Sequence, residues 1–349
     1  MKLTAFKFLT LTASLALMLM SCGEANKSSK KADELPHGII LENMDTSVNP
    51  KDDFYNYVNG NWMKNTKIPE DRTIWGGFSV LRKSTDKDVL EILAKAKENG
   101  NYDSNTDQAK ALFLFDSKLD VDTRNAVGIT PIQPALDAIA NIENLNDLQT
   151  VLMTVPNVSS PFIDFVSFAD LNDSSINAAY VTENGLGLGN RDYYLEMDIK
   201  SVEIRAKYVE YISKMLQFLG DDEISATASA EKILAMETQL AIPRLDKVQS
   251  RDMRNYNNPK SISETQLLIP SLNIKKMMAD KKLKQNVDTL IVTQPKFIST
   301  LNSFLTEHTI DDLKTLLRWD TFVSSASRLT EEIEVANWEF YSKYLRDAK

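Results

Sequence analysis

The chain has 349 residues, 43% apolar and 26% charged, which are the values of a folded globular protein with room for one large core or two to three domains. Its formal charge is -9, and the first 21 residues hold Lys2 and Lys7 but no acid, so the remainder is more negative still and ill suited to neutralising nucleic-acid phosphates. One cysteine, Cys22, and two histidines, His37 and His308, rule out an intrachain disulfide and every Cys-x-x-Cys zinc or redox arrangement.

Lys2 and Lys7 precede an apolar run from Phe8 to Met20, the length of a signal-peptide core and too short to span a bilayer comfortably. Leu19-Met20-Ser21-Cys22 closes it in the manner of a bacterial lipobox. The expectation is a lipoprotein signal peptide over 1–21 with Cys22 as the lipidated residue, which anchors the protein to a membrane of the bacterial envelope. Residues 22–35, with Lys27, Ser28, Ser29, Lys30 and Lys31, read as a solvated tether, and the folded part is expected over 36–349.

Asp52 to Trp62 predicts the first helix. Phe54, Tyr57, Val58 and Trp62 share one face, Asp52 and Asp53 sit at the positive dipole end, Trp62 is expected to be buried, and Gly60 calls for a packing reason. Pro69 breaks the pattern. A helix follows Gly76-Gly77 and stops at Asn99-Gly100, and another spans Gln108 to Leu119. Ile132–Ile142 and Leu145–Met153 read as short helices. Phe162–Phe168 and Asn177–Thr182 are rich in β-branched and aromatic residues around a polar turn, and predict a β-hairpin. The GxGxG of Gly185, Gly187 and Gly189 lacks the context of a phosphate loop and reads as flexible chain entering a helix. Val202–Leu219 and Glu223–Ala241 predict two long antiparallel helices. Arg244–Lys260 reads as irregular surface, Ile262–Met278 as helix interrupted by Pro270, and Thr289–Thr293 as a short strand. Phe297–Leu305 and Leu313–Leu345 read as helix. The fold class is therefore mainly α, a large multi-helix lobe with one small β-hairpin and a short extra strand.

Reactive chemistry is hard to find. His37 is followed by Gly38-Ile39-Ile40 and His308 by Thr309-Ile310-Asp311, so neither stands in HExxH. His308 fits a helix C-terminus, where a cation is favourable. No GxSxG is present, and the acidic pairs Asp52/Asp53, Asp311/Asp312 and Glu331/Glu332 suit solvated faces or helix starts. A glycosidase pair among the carboxylates stays open, with nothing to single out two of them.

Four blocks in order change the reading. Asp52-Asp53-Phe54-Tyr55-Asn56-Tyr57 with Gly60-Asn61-Trp62, Ile68-Pro69, Gly77-Phe78 and Leu81-Arg82 comes first. Gly185-Leu186-Gly187-Leu188 with Arg191-Asp192-Tyr193-Tyr194 comes second, then Arg318-Trp319 and Asn337-Trp338-Glu339-Phe340-Tyr341. Together they resemble the N-terminal region of the neprilysin-like zinc metalloendopeptidases, of the neprilysin and endothelin-converting enzyme type, over roughly residues 40–349. Animal members carry disulfide-forming cysteines where this chain has Lys51 and Asn59, as expected of a bacterial member. The resemblance implies a helical lobe that encloses peptide substrates, and zinc as the cofactor of a complete member. It also implies an arginine contact to the substrate carboxylate at Arg82, which matches the second of two family arginines, with the first replaced by Ile74 and Arg72 two residues away. No HExxH is present in these 349 residues, and the family's downstream ExxxD and late His are expected beyond them, so no catalytic or metal residue is assigned and the chain alone is expected to be inactive. A stand-alone lipid-anchored protein that binds peptides or glycans, or one half of a split peptidase, are the alternatives.

Overall fold

The structure, a computed structural model, describes residues 38–70, 72–283 and 287–347. The proposed signal peptide, Cys22, the tether and His37 lie outside the described residues.

Two compact units divide at Ile68 and Pro69. In the first, α1 (Phe54–Asn65) is capped by Asp53, whose carboxylate accepts from the Asn56 amide at 2.9 Å. Asp53 thus stands just outside the helix. A Cβ on Gly60 would lie 2.7 Å from Asp45 Cβ, which supplies the packing reason for this glycine. Lys64 donates to Asp45 at 2.5 Å, and Lys64 with the Ser47 hydroxyl holds that carboxyl down at about 2. Trp62 is only partly buried and Phe54 is exposed, contrary to the expected buried Trp: the face is apolar, but within this unit little chain lies opposite it.

The second unit begins with α2 (Gly77–Asn99), α3 (Asp107–Leu119) and α4 (Val121–Val127). Gly100, at φ 62°, closes α2 in the left-handed conformation that favours glycine. The sequence reading missed α4, a seven-residue turn capped by Asp120. Next come α5 (Gln133–Ala140) and α6 (Leu145–Thr154), then the hairpin of β1 (Ile163–Ala169) and β2 (Asn177–Glu183), paired antiparallel with Phe165 opposite Val181. After α7 (Arg191–Leu195), the long helices α8 (Ile199–Gln217) and α9 (Glu223–Ala241) pack on each other, as their matching apolar stripes require.

The segment 244–260 departs from the irregular surface expected of it. It delivers β3 (Pro259–Ser261), and Arg244 turns inward to donate to the carbonyls of Asn184 at 2.6 Å and Pro161 at 3.1 Å, over the Phe297 ring. Pro270 separates α10 (Ile262–Leu268) from α11 (Ile274–Asp280). The extra strand β4 (Thr289–Val292) joins the hairpin, giving the order β1-β2-β4-β3. It runs parallel to β2 and antiparallel to β3.

Helix α12 (Pro295–Glu307) is followed by α13 (Ile310–Ser325), which opens on a capping box of Thr309 and Asp312. The run 313–345 is not one helix. A 3-10 turn at Ala326–Arg328 ends α13, the Thr330 hydroxyl caps α14 (Glu331–Trp338), and a π-helical stretch covers Glu339–Tyr344. Apolar periodicity continues through the turn, so the break is visible only in the cap. Leu313, Leu316, Leu317, Trp319 and Phe322 of α13 lie at the centre of the core with Tyr208, Ile212 and Met215 of α8.

Candidate functional site

The Gly185–Tyr194 segment leaves β2, crosses the core and enters α7. What holds it is a carboxylate with no cation in ion-pair contact. Glu237 on α9 is fully buried, and its Oε2 accepts the Tyr194 hydroxyl at 2.6 Å. The same hydroxyl accepts the Leu188 amide at 2.8 Å. Glu237 Oε1 accepts the Tyr208 hydroxyl at 3.2 Å, and that hydroxyl in turn accepts Trp319 Nε1–H at 3.3 Å. Four segments far apart in sequence are joined through two phenols and one carboxyl.

The electrostatics follow from burial. Removal from water pushes Glu237 up to about 7, opposed in part by the Tyr194 hydroxyl it accepts. Burial, then the nearby Glu237 charge, raise both Tyr194 and Tyr208 well above the usual phenol range. Gly187 is required at this point. A Cβ there would sit 1.7 Å from the Tyr208 hydroxyl oxygen and 3.1 Å from Glu237 Oε1. Beside the loop opens a cleft of about 760 Å³, with Ser159, Asn184, Gly187, Asp320, Asn337 and Tyr341 among its walls.

The other resemblance blocks have structural work in the same core. Arg318 forks onto Asp221 at 2.7 and 2.9 Å and donates to the Leu219 carbonyl, tying α13 to the α8–α9 turn. Phe340 stacks on Tyr211 with ring centroids 4.6 Å apart, and the Tyr211 hydroxyl donates to Asn337 Oδ1 at 2.7 Å.

Arg82 stands on α2, exposed, with no ion pair or hydrogen bond among the described residues. On the same helix Phe78 is 92% exposed, and Leu81, Leu90 and Ile92 are exposed, as are Phe113 and Leu114 of α3. The structure does not bring Arg82 together with the Glu237 cluster. His308 caps the C-terminus of α12, as its sequence position suggests, with Nε2 2.9 Å from Gln239 Oε1 and its ring over Phe304. Among the described residues no three His, Cys, Asp or Glu side chains converge as a metal site. The described residues therefore do not fit a bound zinc ion. No helix among them is long and apolar enough to cross a membrane.

Sequence reasoning missed Glu237 and Asp320. The signal was there in part: Glu237 interrupts the apolar stripe of Ile233, Met236 and Leu240 on α9, where a carboxylate must find partners or lose its charge.

A sequence profile described as Peptidase family M13 matches residues 50–349. Rat endothelin-converting enzyme 1 is 24% identical over 314 residues, covering 86% of this chain and 40% of its own length. Neprilysin-3 of Drosophila melanogaster is 25% identical over 284 residues, covering 76% and 36%. The crystal structure of the Mycobacterium tuberculosis zinc metalloprotease Zmp1 in complex with inhibitor superposes with a TM-score of 0.78 at 26% identity, over 89% of this chain and 47% of that one. The chain thus spans less than half the length of these relatives.

Proposed function

This chain belongs to peptidase family M13, and from that premise we propose that its helices form the substrate-enclosing N-terminal part of a zinc metalloendopeptidase, residues 36–349 acting as one functional domain. The peptide substrate is held between this part and a catalytic half that carries the HExxH zinc site, in the same chain or a separate one. Arg82 contacts the substrate carboxylate. Lipid on Cys22 anchors the protein to the bacterial envelope, on its extracytoplasmic side.

One observation carries this reading: α2 and α3 both leave large apolar side chains exposed, and Arg82 on α2 is unpaired among the described residues. Phe78, Leu81, Val89 and Ile92 follow helical spacing along α2, yet no residue of that helix is buried. Fully burying a Phe or Leu side chain contributes about 1.5–3 kcal/mol, so such a stripe favours a covering partner. Relatives more than twice as long supply a candidate for the cover in their remaining half.

Zinc analysis by atomic emission and a quenched-fluorescent peptide assay on the purified chain test the reading. The expected result is substoichiometric zinc and no turnover, with turnover appearing when an HExxH-bearing family half is added. Stoichiometric zinc and cleavage by these 349 residues alone would overturn it. Glycan capture by this chain, with no turnover on adding a catalytic half, would favour the stand-alone binding protein.

A further inference from the structure

The cleft beside the Gly185–Gly189 loop has walls drawn from residues 152 to 346. Its charges are unevenly matched. Lys281 is paired with Asp164 at 2.9 Å. Arg244, the cation that acts on Asp320 through space, has its guanidinium committed to the carbonyls of Leu240, Asn184 and Pro161. Asp320 itself makes no ion pair among the described residues, and only the Ser159 hydroxyl hydrogen-bonds its carboxyl. Burial pushes Asp320 up to about 6, opposed only in part by the Ser159 hydroxyl and the Arg244 charge. At the rim, Arg346 is exposed and likewise unpaired among the described residues.

We propose that this cleft binds the free N-terminus of a short peptide, its ammonium group on Asp320 and its carboxylate toward Arg346. The chemistry selects an ammonium over a metal ion. A carboxylate has about four lone-pair sites, and Ser159 takes one. An ammonium offers three donors and needs acceptors spread around it. Asn184, also on the wall, gives its Nδ2 to the Ser160 carbonyl at 3.0 Å and so keeps its Oδ1 as an acceptor. A divalent cation would need more anionic ligands than this wall supplies, since no three such side chains converge among the described residues. The volume of about 760 Å³ is ample for a few residues of peptide.

The site differs from the proposed contact at Arg82, which lies on another element and reads a C-terminal carboxylate. The two ideas therefore fail separately. The test is calorimetric titration of the full chain with triglycine, N-acetyl-triglycine and triglycine amide. N-acetylation is expected to weaken binding at least about tenfold, because a hydrogen-bonded charge contact is lost. Amidation, at the exposed rim, is expected to weaken it by only about threefold. Asp320→Asn should bind acetylated and free triglycine alike, and Arg346→Gln should remove the effect of amidation. If Asp320→Asn does not fold, as judged by far-UV circular dichroism, the acetylation contrast on the unaltered chain still decides. No binding of triglycine at 10-fold excess over the chain at millimolar concentration, or equal binding of the free and acetylated peptides, overturns the proposal. Arg254→Gln, exposed and outside the cleft walls, serves as the control and is expected to leave all three titrations unchanged; if it abolishes triglycine binding, the ammonium site is refuted.

Discussion

Helices α2 and α3 carry apolar stripes as regular as those of α8 and α13, but the two pairs meet different fates. Eight residues of α8 and seven of α13 are buried. In α2 none is, and in α3 only Ala109. The α2–α4 segment is held by polar ties instead. Lys97 pairs with Asp116 at 2.7 Å, joining α2 to α3. Lys118 and Arg124 converge on Glu334 of α14, Arg124 also donates to the Leu329 carbonyl at 2.9 Å, and Asn125 accepts the Glu331 amide at 2.8 Å. Hydrogen bonds and ion pairs can position a segment without removing its apolar face from water. The difference therefore separates a region whose apolar stripes are buried within the chain from one whose stripes stay exposed among the described residues.

The sharpest way to break this contrast is to empty the core. Trp319→Ala removes a fully buried ring packed edge-on against Tyr208 at 6.1 Å, and is expected to cost about 3–5 kcal/mol in urea unfolding. A cost below about 1 kcal/mol would mean that the core region is as loosely held as α2.

The buried carboxyl gives the next largest effect, as a pH dependence. Glu237 is raised in the folded state to about 7 from the usual 4.5. Its neutral form is the one that suits the fold, so its contribution is fully present below about pH 4.5 and is lost as pH rises through about 7. Two and a half units correspond to a difference on the order of 3 kcal/mol. Asp320, raised to about 6, acts in the same direction. Glu237→Gln, a permanently neutral amide, should flatten the decline in melting temperature between pH 5 and pH 8 relative to the unaltered chain. An unchanged profile would place the titration elsewhere.

Cutting the polar ties is expected to do less, and to do it locally. Glu334→Ala should lower global stability by only about 1 kcal/mol while speeding amide hydrogen exchange in α3 and α4. Exchange that rises equally in α8 and α9 would show that the two regions unfold as one. Smallest of all, Phe78→Ser and Leu81→Ser should change the stability of this chain by no more than about 0.5 kcal/mol, because both side chains already face water. The same substitutions should reduce self-association on size-exclusion chromatography. A loss of several kcal/mol would mean that the stripe is covered within the chain itself.

The helices and the hairpin were legible because local patterns encode them. Asp53, Thr309 and Thr330 cap where a short polar side chain precedes an apolar run, and β-branched residues mark β1 and β2. Boundaries failed where one pattern ran through another, as in the predicted 313–345 helix that the Thr330 cap divides. The break needed the cap to outweigh continuous periodicity, and that balance is set by packing.

The sequence by itself determined most of the elements, the family and the need for a small residue at Gly60. Periodicity, capping and the order of the four blocks are properties of neighbours along the chain. Only the tertiary structure decided which stripes would be buried, that Gly187 must clear the Tyr208 hydroxyl, and that Glu237 and Asp320 would share one buried region. Those outcomes depend on contacts such as Trp319 to Tyr208, 111 residues apart. A carboxylate's protonation is set by what surrounds it in space, and no spacing rule along the chain contains that information.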